Sequence, residues 1–136
     1  MAFKYGDQVY SSGRLGRAMP SPTQRRGADS ERQAQALLCG HGLQLVARNV
    51  RWRGGEIDLI LRDGERLIFV EVRQRSRADW GGAAASIGSA KQRRVILTAQ
   101  WWLSRYFRNQ DWPECRFNVV AIDGERLQWL QDAFSG

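Results

Sequence analysis

EIDLILRDGERLIFVEVR, residues 56–73, is the stretch from which the rest of this chain is read. Two runs rich in Ile, Leu, Phe and Val flank an Asp-Gly pair at Asp63 and Gly64, the composition of a β-hairpin. Alternation along the first strand puts Ile57, Leu59 and Leu61 on one face and Glu56, Asp58, Ile60 and Arg62 on the other. Along the second it separates Ile68, Val70 and Val72 from Leu67, Phe69, Glu71 and Arg73. A turn of two or four residues then places Asp58 either opposite Glu71 or diagonal to it, on the same face in both cases.

Cross-strand neighbours lie about 4.5–5.5 Å apart between Cβ atoms, or about 7–8 Å on the diagonal, so two partly buried carboxylates so placed repel unless a cation lies between them. Oxygen-only ligands favour a hard ion, and Mg²⁺ (or Mn²⁺) held by Asp58 and Glu71, with water and substrate phosphate completing its shell, suits so small a donor set. Arg73 projects from the same face, where a guanidinium could neutralise charge on a phosphate in transit. The ordinary alternative is an ion pair between Glu71 and Arg73 or Arg62 across a solvated sheet face. A third acid, Glu31, falls in the first turn of the expected first helix, where the helix dipole favours an acid without any metal.

Outward from the hairpin, SERQAQALLCGHG reads as helix one. Ser30 and Gln33 have capping-box spacing, Ala34, Leu37 and Leu38 form an apolar stripe, and Gly42 stops it. LQLVARNV reads as a strand and RWRGG as a loop. RSRADWGGAAASIGS has no period and reads as a mobile loop. Helix two follows, with Ser89 and Gln92 at capping-box spacing and Val95, Ile96, Ala99, Trp102, Leu103, Tyr106 and Phe107 on one face. RFNVVAI, an Asp-Gly turn at Asp123 and Gly124, and RLQWL make a terminal hairpin. The order α-β-β-β-α-β-β predicts an α/β fold, a mixed central sheet flanked by helices, as one domain over residues 27–136 behind a flexible basic arm, residues 1–26.

The charge pattern points to a polyanion. Lys and Arg total 21 against 14 Asp and Glu, a net +7, which favours phosphate-bearing partners. Lys91, Arg93 and Arg94 crowd the first turns of helix two, where the dipole should prefer acids. With Arg73, Arg75 and Arg77 upstream and only Asp79 opposing, residues 73–94 carry a net +5, the natural partner of a phosphate backbone. Arg51 belongs to the same candidate nucleic-acid set. Trp52 and Trp80, in loops among arginines, could stack on bases, whereas the tryptophans of helix two read mostly as core.

Other chemistries find little support. Two cysteines, Cys39 and Cys115, fit a reducing compartment rather than a disulfide scaffold. Neither a signal peptide nor an apolar span is visible, so a cytoplasmic protein with no membrane association is expected. His41, the single histidine, sits between Gly40 and Gly42 and reads as a cap for helix carbonyls, and no zinc cluster can be assembled. GGAAASIGSAK lacks the Gly-Lys-Ser/Thr ending of a phosphate-binding loop.

NVRWRGGEIDLILRDGERLIFVEVRQRS, residues 49–76, closely resembles the signature of the YraN family, small bacterial proteins of uncharacterised function related to PD-(D/E)XK nucleases and their Holliday-junction resolvase branch. The likeness extends more loosely over residues 27–134. It implies a restriction-endonuclease-like core in which Asp58 and Glu71 match the metal-binding acids, Glu31 the helix-one acid of the resolvase branch, and Arg73 the position of the motif lysine. Arg73 departs from that motif, because an arginine keeps its proton above about pH 12 and cannot act as a base. Asn118 stands where relatives tend to carry Asp. The activity so implied is Mg²⁺-dependent cleavage of DNA phosphodiester bonds, with branched or structured DNA as substrate and a homodimer as the working form. The alternative is a nucleic-acid-binding module of the same fold with weak or no cleavage.

Overall fold

The computed structural model describes residues 22–74, 87–123 and 126–135, with side chains from Gly27 onward. Its elements are α1 (Pro22–Gly40), β1 (Gln44–Trp52), β2 (Gly55–Asp63), β3 (Arg66–Gln74), α2 (Ser89–Tyr106), β4 (Cys115–Asp123) and β5 (Arg126–Phe134). The order is the expected α-β-β-β-α-β-β. The strands form one five-stranded sheet in sequence order. Three pairings are antiparallel and β3–β4 is parallel, so the sheet is mixed and α2 lies in the crossover between its parallel strands.

The hairpin is built as its composition requires. Asp63 pairs with Arg66, leaving a two-residue turn whose first residue, Gly64, takes φ 66°. That is a conformation glycine adopts without a Cβ penalty. Leu59 pairs with Val70, Ile60 with Phe69 and Leu61 with Ile68, so successive residues face opposite sides of the sheet. Leu59, Leu61, Ile68 and Val70 pack beneath Ala34 and Leu38 of α1. Ile60, Leu67 and Phe69 pack beneath Val95, Ala99, Trp102 and Leu103 of α2. Each face therefore has its own helix, and burying both explains why the two strands read as almost continuous apolar runs. Phe69 meets Trp102 edge-on at 6.2 Å and stacks on Phe117 at 5.3 Å, tying the hairpin to α2 and β4.

Four local expectations are corrected. Ile57 joins the α2-side cluster rather than the α1-side cluster of Leu59 and Leu61, so strict alternation fails across Asp58. Strand β1 continues through Trp52, into what reads as the RWRGG loop. Helix α1 begins at Pro22 rather than at Ser30. Pro suits a first helical turn, and Ser30 lies inside the helix, buried, where its hydroxyl accepts a 2.7 Å bond from Gln74 Nε2. Helix α2 has Gly88, not Ser89, at its N-cap, without a side-chain cap. Gln92 instead donates its Nε2 to the Ile87 carbonyl at 2.7 Å.

The apolar face read for helix two is the one that packs: Val95, Ala99, Trp102, Leu103 and Phe107 are buried, with Ile96 and Tyr106 at the cluster's edge. His41 caps as expected, its Nδ1 being 2.9 Å from the Leu37 carbonyl. Gly42, at φ 96°, ends the turn. The basic arm falls largely outside the described residues, as do Arg75, Arg77, Trp80 and most of the loop that contains them.

Candidate functional site

The rung Leu59–Val70 is the last one that pairs β2 with β3, and the next two positions are Asp58 and Glu71. There the ladder stops. The Val72 N–H donates to Oδ2 of Asp58 at 2.8 Å instead, so a carboxylate takes over a donor near the end of the ladder. On the other side of β2, the rungs Arg48–Leu59 and Val50–Ile57 bracket Asn49, which takes φ 56°. Asn tolerates this left-handed conformation better than most residues. The sheet thus opens around Asp58 on both edges of its strand, and Ile57 changes sides there.

Both acids are sequestered, Asp58 being 9% exposed and Glu71 6%. Burial is the first cause raising the pKa of Asp58 well above the ordinary carboxylate range, and the charge of Glu71 is the second; the Val72 N–H opposes them. Glu71 is also raised by burial, against the hydrogen bond and charge of Lys91 and the charge of Arg73. Glu31 comes in from α1, half-buried and hydrogen-bonded to Asp58. Its pKa is raised by burial and by the charge of Glu56, and held back by Asp58 and Arg48.

The structure thus brings together Asp58, Glu71 and Glu31, and Arg73 contributes its charge from the same strand. Sequence reasoning missed two participants. Glu56 acts on all three acids and pairs with Arg51 at 3.4 Å; its position two residues before Asp58 was the signal. Lys91, expected from its charge on a nucleic-acid face, reaches Glu71, with Nζ 2.6 Å from Oε2. Arg73, one of the partners that alternation suggested, acts on Glu71 through its charge. Arg93 and Arg94 are exposed along α2 as expected. Asn118 of β4 pairs with Val70, the residue before Glu71, and its side chain serves the β4–β5 edge. It is buried, and its Oδ1 accepts the Asp132 N–H at 2.8 Å where the β4–β5 register shifts.

Chemically the cluster offers carboxylate oxygens in a buried place, which fits a hard divalent cation. Among the described residues no three His, Cys, Asp or Glu side chains form a ready-made metal cage. Asp58 and Glu71 would therefore be two protein ligands of an ion that keeps most of its shell for water and phosphate, as Mg²⁺ does. No helix among the described residues is long and apolar enough to cross a membrane.

Residues 30–122 match the model of an uncharacterised protein family, UPF0102. A UPF0102 protein of Dechloromonas aromatica is 53% identical over 113 residues, 83% of this chain and 91% of its own length. The UPF0102 protein YraN of Escherichia coli K12 is 49% identical over 113 residues, 83% of this chain and 86% of its own. A third, from Cupriavidus pinatubonensis, is 56% identical over 116 residues, covering 84% and 88%. The matched segment contains all the acids of the cluster and Lys91.

Proposed function

Since the chain belongs to UPF0102, a family whose activity is uncharacterised, we propose from the acid cluster itself that this protein is a Mg²⁺-dependent nuclease acting on structured DNA. The observation that carries the reading is the placement of Asp58 and Glu71 directly after the last β2–β3 rung, both buried and both with raised pKa values. Nothing in the packing of a sheet end requires two sequestered acids, and ordinary core residues there would be more stable.

In this mechanism Asp58 and Glu71 would hold the ion, and the chemistry it would supply is polarisation of the scissile phosphate and a lowered pKa for water. Glu31, next to Asp58 at the α1 side of the cluster, helps to orient that carboxylate. Arg73, charged at all working pH values, stabilises negative charge that grows on the phosphate but cannot take a proton from water. Exposed Arg93 and Arg94 bind the backbone flanking the bond, which fixes the position of the substrate without reading its sequence.

A second reading, a binding module with weak or no cleavage, draws on the Lys91–Glu71 pair. An ammonium already neutralises one of the two ligands, and the position expected for a lysine on β3 holds Arg73. Calorimetric titration with Mg²⁺ or Mn²⁺ addresses both readings, which expect binding that Asp58→Asn abolishes; no specific metal signal would overturn both. Incubation with labelled four-way, forked and linear DNA then separates them. The nuclease yields metal-dependent products that Glu71→Gln loses, and absence of products from a protein that binds the same DNA leaves the module.

A further inference from the structure

Beside the acid cluster lies a feature that metal chemistry does not use. Trp52, at the end of β1, stacks on Trp101 of α2 with ring centroids 5.7 Å apart and planes 11° from parallel. The Arg53 guanidinium lies 4.9 Å from the Trp52 centroid, and that of Arg105 lies 5.5 Å from the Trp101 centroid. Two indoles and two guanidiniums thus form one surface assembly. Both arginines are exposed and both rings are part-exposed. Trp101 packs one side against the core and leaves part of its ring at the surface.

The assembly is built rigidly. Arg53 takes φ 47° and Gly54 φ 80°, a tight reversal that a non-glycine residue holds only when its surroundings enforce it. Gly55 presses against α2 so closely that an added Cβ would lie 2.7 Å from the Arg94 carbonyl oxygen. Arg94, Thr98, Trp101 and Arg105 follow one another at helical spacing, so a single stripe of α2 seats the turn and supplies half of the stack. Lys91, one turn earlier, is the residue bonded to Glu71. The ten helical steps from Lys91 to Trp101 span about 15 Å, roughly four nucleotides at the duplex rise.

Among the described residues neither Arg53 nor Arg105 is paired with a carboxylate, their recorded partners being the rings. A cation held on a ring keeps its N–H edge for phosphate and offers a plane on which a base can stack. Duplex DNA exposes no base faces, whereas an unpaired strand does. Resting on the nuclease or binding reading above, we propose that the Arg53–Trp52–Trp101–Arg105 stack is a platform for unpaired nucleotides adjoining the acid cluster, so that the preferred substrate carries single-stranded DNA beside the bond or fold held at the acids.

The test uses the full chain in EDTA, so that it does not depend on the metal, and compares anisotropy of a short labelled oligothymidine with that of a blunt duplex of equal length. The wild type is expected to favour the single strand. Arg53→Ala/Arg105→Ala should weaken single-strand binding about tenfold, on the scale of one lost stacking contact, while duplex binding changes by less than about twofold. Both side chains are exposed, so folding is retained, which circular dichroism checks. Arg53→Lys/Arg105→Lys keeps the charge and loses the stacking plane, and it should lose most of the same affinity. Wild-type affinity in that Lys variant, or an equal loss for both DNA forms in the Ala variant, overturns the platform alone. Failure of the wild type to bind either DNA overturns the platform together with the nucleic-acid reading beneath it.

Discussion

Lys91 Nζ, at the start of α2, lies 2.6 Å from Oε2 of Glu71 on β3, joining a side chain that is 44% exposed to one that is 6% exposed. The ammonium opposes the rise in pKa that burial imposes on this acid. Removing one partner of a buried pair leaves the other uncompensated, which is costly, though solvent at the lysine end softens the effect. Lys91→Ala should therefore lower stability in EDTA by about 1–2 kcal/mol. If Glu71 is a metal ligand, saturating Mg²⁺ should recover more stability in this variant than in the wild type, because the ion then supplies the missing positive charge. Urea unfolding of both proteins, with and without Mg²⁺, reads the difference.

Asp58 yields a prediction of opposite sign. Its pKa is raised by burial and by Glu71, so between the ordinary carboxylate value and the raised one the folded state binds more protons than the unfolded state. Stability contributed there is present at low pH and is lost as pH rises through the raised pKa. Above the ordinary carboxylate value the raised pKa makes the group a net cost. Asp58→Asn keeps an oxygen acceptor for the Val72 N–H and removes the charge, so in EDTA at pH 7 it should stabilise the protein by on the order of 1 kcal/mol, a few degrees in Tm. The advantage should shrink as pH falls toward 4. Melting curves across pH check both the sign and the trend; a variant less stable than the wild type at pH 7 would contradict the account.

What could be read from the chain divides by the range of the interaction involved. The β2–β3 hairpin and the buried face of α2 were legible because apolar period and turn chemistry are local. The even turn placed Asp58 and Glu71 together, and Glu31 joined them through the family likeness, since helix capping explained that acid equally well. Ser30 misled because capping-box spacing is indistinguishable from a Ser and a Gln inside a longer helix whose serine bonds Gln74 instead. The contacts of Lys91 and Trp101 were illegible for a related reason. Their partners, Glu71 and Trp52, come from other strands, and no pattern within α2 distinguishes a lysine or tryptophan facing those strands from one facing solvent or core. The left-handed Asn49 and the crossing of Ile57 follow from the break in the ladder at Asp58, which residue composition does not reveal.

Asn118 separates fold from site. Its Oδ1 takes the Asp132 N–H at 2.8 Å, within a register shift that Asp132 enters at φ 56°. Removing the acceptor leaves a backbone donor poorly served, a loss of about 1–3 kcal/mol. Asn118→Ala should therefore lower the thermal midpoint measurably while leaving the Mg²⁺ titration at Asp58 and Glu71 unchanged. A weakened metal signal in a folded Asn118→Ala protein would place this residue in the acid cluster after all.

Gly55 carries the last prediction, because it positions the turn between the acids and the stacked tryptophans. A Cβ at this residue would meet both Thr98 Oγ1 and, at 2.7 Å, the Arg94 carbonyl oxygen. The hydroxyl already donates to that same carbonyl at 2.8 Å, so neither atom can retreat without disturbing α2. Overpacking of this kind costs about 1–3 kcal/mol, and Gly55→Ala should lie toward the upper end because one of the obstacles is backbone. Deleting the hydroxyl in Gly55→Ala/Thr98→Ala removes the first obstacle and leaves the second. The double variant should therefore regain only part of the lost stability, relative to Thr98→Ala alone. Near-ultraviolet circular dichroism should track the same steps, since the turn and α2 each supply one indole of the Trp52–Trp101 pair. Full recovery in the double variant would mean that the side chain, not the Arg94 carbonyl, sets how closely the turn approaches the helix.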